Sequence, residues 1–364
     1  MNKIEIPYTT APLSEYIGSH IYETIGIPVH KTVLGVREGK VVVACKDLLK
    51  PDEKIVDFAA LKTRAVNGLN EKIDNLDSIT SGNGTDLPEI LLLMENIPVF
   101  VNNPLLVEHF WNMFVVDGLI GNNDRNNGNW GIIRNVFKSG SVKICPVFDN
   151  GNSFSNKMGE PRMKRILEDP VKFKSSAIDS PTSVFFENGK KINPFKYIES
   201  FKNEDLNQAI LRIVPNIDLN KIKEIIDEIP NIDKETGIKI ISDIQKEFYY
   251  RVLEARYEQV LLPAYEKLYD KVIDKNYELY KDKIEAIYSE EFGKDFKNKT
   301  NFESLVKSNM KEDILSLNKG YLIYKDDEDN EYLVTNIKDK DIKVIKTKDI
   351  SELLEQNENN GEEE

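Results

Sequence analysis

The sequence predicts an α+β fold in two lobes, a small one that carries strands and a larger one that is mainly helical, followed by a small helix-plus-strands appendage. Three observations predict it. Strand-like runs pair before residue 50, long stretches beyond it repeat apolar residues at helical spacing, and three alternating runs return after residue 319.

The elements follow in order. Leu13 to Thr24 reads as a helix that stops at Gly26-Ile27-Pro28, because proline cannot continue it. Val33–Gly35 and Val41–Cys45 read as strands about the turn Arg37-Glu38-Gly39-Lys40. Residues 51–80 look mostly helical and end near Ser81-Gly82-Asn83-Gly84. Pro104 to Ile120 is a long helix, with apolar residues at 110, 111, 113, 114, 116, 119 and 120, the spacing of an amphipathic one. Gly121-Asn122-Asn123 ends it and opens a loop, since Gly and Asn accept left-handed backbone angles. Trp130–Ile133 and Val142–Phe148 read as strands joined through Lys138–Ser141. From Gly151 to about residue 195 periodicity is weak. Helices follow at about 203–214, 218–229, 234–260 and 262–290, the last two reading as a hairpin broken near Pro263. Phe302–Leu317 reads as a further helix, and 320–324, 331–335 and 342–346 as strands. Asp326–Asn330 between two of them lacks the spacing and closing glutamate of a calcium loop and reads as a solvated turn. The expected organisation is a remnant upper lobe over 1–50, a lower lobe over 51–267, a helical extension over 268–319, a strand-rich module over 320–350 and a disordered acidic tail over 351–364.

The chemistry concentrates after the long helix. Asp124 is followed five residues later by Asn129, and Asp149 ends an apolar run just before Asn150-Gly151. Phosphoryl transfer uses such a set: one carboxylate accepts the hydrogen bond of the attacking hydroxyl, while an amide oxygen and a second carboxylate hold Mg²⁺ against a triphosphate. All three are oxygen donors, as a hard cation requires. An Asp-x4-Asn pair alone is common in loops; the second aspartate, in a Phe-Asp-x-Gly turn, makes the pattern informative. Asn129 precedes the first strand of the expected hairpin and Asp149 follows the second, so a hairpin brings both to one edge. His20, His30 and His109 are dispersed and no Gly-x-Ser-x-Gly elbow is present, which argues against a catalytic histidine and a triad hydrolase. Trp111 reads as core and Trp130 as packing beneath the loop.

Residues Ile120–Gly131 and Pro146–Gly151 resemble the catalytic and metal-binding segments of HipA-like serine/threonine kinases. Ser14–Pro28 resembles the helix before their hinge, Val41–Leu48 the hinge strand, and Phe248–Tyr265 the end of the compact single-domain branch, so the resemblance covers residues 8–267. It implies a protein-kinase-like fold and ATP- and Mg²⁺-dependent phosphorylation of serine or threonine in a protein. By that resemblance Asp124 is the catalytic base, and Asn129 and Asp149 carry the metal. Asn126 and Asn127 lie beside the nucleotide, Glu15 takes the helix position that orients the phosphate-binding lysine, and Lys46, Asp47 and Leu48 face the adenine. It further implies the toxin of a toxin–antitoxin pair, with an antitoxin as partner and a translation factor as substrate.

The chain departs from that family at its start. Such kinases carry a glycine-rich phosphate loop and a strand lysine upstream of the Ser-Glu-Tyr helix, whereas the thirteen residues before Ser14 hold no glycine and only Lys3. The expectation is an upper lobe without the phosphate loop, through a misplaced start, a piece supplied by another chain, or a fold that no longer transfers phosphate. Lys3-Ile4-Glu5-Ile6-Pro7 as one strand bearing the lysine is the alternative. Weak ATP binding by the chain alone follows, with an exposed sheet edge near residues 33–45 where a completing partner docks. The competing function is a catalytically silent kinase fold that binds a protein. Asp124, Asn129 and Asp149 favour the enzyme; the missing loop favours the binder.

Composition narrows the classes. Lys+Arg 49 against Asp+Glu 62 gives a formal net charge of −13, so the chain as a whole repels phosphate backbones and direct nucleic-acid binding is not expected. Cys45 and Cys145 both lie in apolar runs and are expected to be buried packing residues in a reducing compartment, without His or Cys neighbours at zinc spacing. No run approaches the ~20 apolar residues of a membrane span, and Met1–Pro7 lacks the apolar stretch of a signal peptide. The expected location is the cytoplasm.

Overall fold

A computed structural model of the chain describes residues 10–70, 82–138 and 142–292, and three short strands near the C-terminus. Two units are resolved in it, Met1–Tyr265 and Glu266–Glu364. The first opens with α1 (Thr10–Ile25), whose inner face buries Leu13, Ile17, Ile21 and Tyr22. β1 (Thr32–Arg37) and β2 (Lys40–Cys45) follow as an antiparallel pair, in register from Thr32 opposite Cys45 to Arg37 opposite Lys40. The turn residues Glu38 and Gly39 both have positive φ, 52° and 72°, which suits a two-residue hairpin. Val33 on this pair is 68% exposed.

Residues 53–57, expected to be helical, form a strand. β3 (Glu53–Asp57) leads directly into α2 (Phe58–Asn70), and pairs antiparallel with β4 (Gly131–Asn135), which in turn pairs with β5 (Val142–Ile144). Ile55 and Val56 face Ile133 and Ile132 across the ladder, and these β-branched side chains prefer a pleated surface once a partner strand is supplied. The partner lies about 75 residues away in sequence, so local pattern did not reveal it.

α3 (Leu87–Asn96) starts under its Asp86 cap, and α4 (Pro98–Val101) and α5 (Pro104–Ile120) follow. α6 (Glu160–Leu167), α7 (Pro170–Lys174) and a π turn over Ser175–Asp179 fill the region of weak periodicity, with the short hairpin β6 (Phe186–Glu187) and β7 (Lys190–Lys191) after them. Then come α8 (Pro194–Glu199), α9 (Glu204–Ile213), α10 (Leu219–Asp227) and α11 (Asp243–Arg256). α4, α8, α9 and α11 all pack on α5. Val115, Asp117 and Gly118 are therefore buried along with its apolar face, and the helix is enclosed rather than amphipathic.

Helix starts follow their caps. The Asn203 side chain accepts from Leu206 N–H, and that of Asp218 from Asn220 and Lys221 N–H. The helix expected from residue 234 begins only at Asp243, where Ser242 and Gln245 form a capping box. Before it, Asp233 accepts from Thr236 N–H and Gly237 takes φ 67°, so the chain turns there. The hairpin expected at Pro263 is absent. α11 continues through a π turn, Tyr257–Leu261, into α12 (Leu262–Phe292). Pro263 sits just past that wider turn, where its ring and missing N–H are tolerated.

In the second unit, β8 (Tyr321–Lys325), β9 (Glu331–Thr335) and β10 (Lys343–Lys346) form an antiparallel sheet in the order β10-β9-β8. The expected helix at 302–317, the turn at 326–330, the acidic tail and the segment containing Lys3 lie outside the described residues. Among the described residues no helix is long and apolar enough to cross a membrane.

Candidate active site

α5 ends because Gly121 takes φ 70° and returns its N–H to Asp117 O. A side chain there would also strike Arg256, since a Cβ would lie 2.7 Å from its Nη1. The loop that follows is built by its asparagines. Asn122 Oδ1 accepts from Asp124 N–H at 3.0 Å, and its Nδ2 donates to the carbonyl of Asp149 at 3.4 Å. The Asp124 carboxylate accepts from Asn126 Nδ2 at 3.2 Å and from Asn152 Nδ2 at 2.7 Å. Asn129 Nδ2 donates to Asp124 O at 2.9 Å. Asn129 is thus tied directly to Asp124, and Asn122 bridges Asp124 to the Asp149 backbone.

Arg125 ties this loop to the turn after β5. It is 1% exposed, donates through Nε and Nη2 to both oxygens of Asp117 at 2.9 and 3.0 Å, and through Nη2 to Asn150 Oδ1 at 2.6 Å. Its Nη1 serves the carbonyls of Phe148 and Asn129. Burial works to lower its pKa, yet Asp117 and Tyr22 raise it above the ordinary value, so the cation is kept. Tyr22 of α1 completes the cluster by donating to Asp117 at 2.8 Å. Nothing in the sequence singled out Arg125 or Asp117, because a paired buried charge looks there like any other charged residue.

α1 is docked on the same turn. Ser14 Oγ donates to Ser153 O at 3.0 Å and Asn150 Nδ2 to Ser19 Oγ at 3.1 Å. A Cβ on Gly18 would come within 2.9 Å of Asn150 Cβ, so the contact requires glycine. This seats Glu15 beside the turn that carries Asp149: a Cβ on Gly151 would lie 3.6 Å from Glu15 Oε2 and 3.9 Å from Asp149 Oδ1. Asp149 has φ 59°, an unusual backbone for a non-glycine residue and one that often marks functional sites. Burial, then the Glu15 charge, push its pKa up, against a lowering by Arg125; Asp124 adds to the rise.

His30, read in the sequence as isolated, is Glu15's partner. Its Nε2 donates to Glu15 Oε1 at 2.6 Å, and both side chains are more than nine-tenths buried. His30→Ala leaves that carboxylate without its imidazole and is expected to cost about 1–3 kcal/mol of stability. Thermal melts check this; an unchanged melting temperature would show that Ser19, 3.3 Å from the same oxygen, suffices.

Glu15, Lys46, Asp47, Leu48 and Asp149 line one cleft of about 570 Å³, walled by apolar Val43, Leu49, Ile55 and Phe148. Lys46 N–H is paired with Lys31 O, and Leu49 N–H with Asp47 Oδ1. Cys45 is exposed at this cleft rather than buried, because it ends β2 at the rim; Cys145 is buried as expected. Asn127 is placed differently from the other loop residues. It is wholly buried, and its Nδ2 holds the carbonyls of Gly82 and Gly84 at 2.9 and 2.8 Å. Trp130 stacks on Phe58 at 4.2 Å beneath the loop. A second cavity, about 950 Å³, is lined by Asn122, Asn123, Asn152, α6 and residues between Ser175 and Ser183.

No protein-family model matches the chain. It is 34% identical over 258 residues to the serine/threonine-protein kinase CtkA of Helicobacter pylori (strain J99), covering 71% of this chain and 73% of CtkA. The crystal structure of the Helicobacter pylori proinflammatory kinase CtkA superposes with a TM-score of 0.64 at 33% identity, over 72% of this chain and 82% of that one. A HipA chain from a Shewanella oneidensis MR-1 toxin–antitoxin complex with HipB and operator DNA matches at 13% identity and a TM-score of 0.43, covering 72% of this chain and 59% of that one, which is too loose to add weight. Identity to CtkA over most of both chains, with the motifs quoted above, makes this chain a member of the HipA-like serine/threonine protein kinases.

Proposed function

We propose that the chain transfers the γ-phosphoryl group of ATP to a serine or threonine hydroxyl of a protein, with Mg²⁺, and that Asp124, Asn129 and Asp149 carry the reaction. The observation that supports this most is that hydrogen bonds through Asn129, Asn122 and Arg125 tie the loop of Asp124 and Asn129 to the turn of Asp149, which lines a cleft together with Glu15 and the 46–48 edge. The apolar walls suit an adenine ring, with Asp47 and Leu48 main chain at its edge. Asn126 and Asn152 hold the Asp124 carboxylate so that an oxygen meets the incoming hydroxyl and accepts its proton as the O–P bond forms. The donor set fits magnesium brought with a nucleotide: among the described residues no group of three or more His, Cys, Asp or Glu forms a resident metal cage, and the amide oxygen of Asn129 with the carboxylate of Asp149 would hold the ion. Bound there, Mg²⁺ would neutralise charge on the phosphates. Asn127 supports the reading indirectly, by anchoring the loop to Gly82 and Gly84.

The finer roles that the family resemblance implies, a toxin restrained by an antitoxin and acting on a translation factor in the cytoplasm, belong to the same proposal. Expression of the chain should then slow growth only while Asp124 is intact.

Asp149 yields a test that does not depend on turnover. Its folded pKa is raised, so its ionisation opposes folding: stability is highest below the ordinary carboxylate pKa and falls as pH rises toward the raised value. Asp149→Asn should therefore stabilise the free protein at neutral pH. It should also abolish the gain from Mg²⁺-ATP, about 2.7 kcal/mol at a hundredfold excess over Kd in the wild type. Calorimetry and melts with and without Mg²⁺-ATP measure both. A variant that still gained stability from Mg²⁺-ATP like the wild type would remove Asp149 from the metal site.

A further inference from the structure

The 950 Å³ cavity shares no lining residue with the nucleotide cleft, yet it is lined by residues that adjoin and hold Asp124. Asn152 lines it and holds the Asp124 carboxylate at 2.7 Å, and Asn122 and Asn123, next to Asp124 in the loop, line it too. Its charge is unusual for this chain. Arg162, Arg165, Lys172 and Arg256 line it, against one carboxylate, Asp117, which is already committed to Arg125 and Tyr22. A formal net charge of −13 for the whole chain makes that local excess of cations a feature to explain.

Three observations say what the cavity suits. Arg162 and Arg165 stand three residues apart on α6 and so share one face, exposed to solvent. Among the described residues the ion pairs of this segment join Glu160 to Lys239, Lys164 to Glu168, Lys172 to Asp169 and Lys174 to Asp179, and involve neither arginine. Arg256 is 4% exposed and donates to the carbonyls of Ala177 and Leu119, with no carboxylate partner among the described residues. A buried cation without a counter-charge costs free energy that an anion in the cavity would offset.

We propose that this cavity seats the stretch of the protein substrate around its acceptor hydroxyl, and that it selects a stretch with an aspartate or glutamate within a few residues of that serine or threonine, read by Arg162 and Arg165. The guanidinium fork matches a carboxylate with two parallel hydrogen bonds, which gives geometry as well as charge. Placing the acceptor hydroxyl at Asp124 rests on the kinase reading above; the preference for an anionic peptide does not.

The test is binding of two fluorescent peptides to the full chain by anisotropy, identical except that glutamates flanking a central serine in one are glutamines in the other. The glutamate peptide should bind about tenfold more tightly at low salt, with the gap narrowing as salt rises. In R162A/R165A the two peptides should bind within about twofold of each other. Both arginines are exposed, so the double substitution leaves the core intact, and R162E/R165E should turn the preference toward a lysine-flanked peptide. Equal affinities in the wild type, or a glutamate preference that survives in R162A/R165A, would overturn the proposal. Phosphorylation of the same peptides is scored separately. Glutamate preference without transfer to either peptide would count against the kinase reading and for the anion site; transfer to both without preference would do the reverse.

Discussion

Asp124→Asn is expected to lower phosphate transfer about 10²- to 10⁴-fold, the usual contribution of a positioned general base, while the protein still folds and binds Mg²⁺-ATP. The substitution is isosteric, but an amide cannot accept the hydroxyl proton. It also disturbs the arrangement that holds the side chain. Asp124 receives hydrogen bonds from Asn126 Nδ2 and Asn152 Nδ2, so an NH₂ group in place of one oxygen would face a donor and force one asparagine to turn. Transfer of labelled phosphate from ATP to serine and threonine peptides measures the effect, and circular dichroism shows that the fold is retained. Similar rates in the two proteins would mean that Asp124 is not the base.

Arg125→Met is expected to be among the most damaging single substitutions for stability. It strands Asp117 in the core with only Tyr22 as partner, and leaves Asn150 Oδ1 and the carbonyls of Asn129 and Phe148 without their donor. Breaking a buried ion pair from one side costs about 3–5 kcal/mol, which for a unit of this size lowers the melting temperature on the order of 10 °C. Combining Arg125→Met with Asp117→Leu should lose less than Arg125→Met alone, since no unpaired charge remains. Thermal denaturation of the two single variants and the double variant forms the cycle. Additive losses would show that the two residues do not act as a pair. Activity should fall too, because Arg125 joins the loop carrying Asp124 and Asn129 to the turn carrying Asp149.

The two substitutions differ in how readable their sites are in the chain. Asp124, Asn129 and Asp149 are legible because the proposed chemistry needs particular groups at short spacing in loops, and the glycines and asparagines that shape those loops lie beside them. Arg125 sits between them and carried no such signal. Its role depends on Asp117, one turn before the end of α5, and on carbonyls from two later segments.

The same division runs through the whole protein. Local sequence determined the helix from Leu13, the hairpin about Glu38-Gly39, the long helix ending at Gly121 and the strands of the C-terminal unit, because periodicity and turn chemistry act over a few residues. It also carries the Asp124, Asn129 and Asp149 pattern on which the proposed chemistry rests. Only the tertiary structure decided that residues 53–57 form a strand, since β4 supplies their partner, and that Pro263 follows a π turn instead of breaking a hairpin. It decided that His30 pairs with Glu15, that Asn127 is spent on two glycine carbonyls, and that Cys45 stands at the rim of a cleft. The physical reason is the range of the forces involved: backbone preferences are set by neighbours in sequence, whereas burial and charge pairing are set by neighbours in space, which only the folded chain brings together.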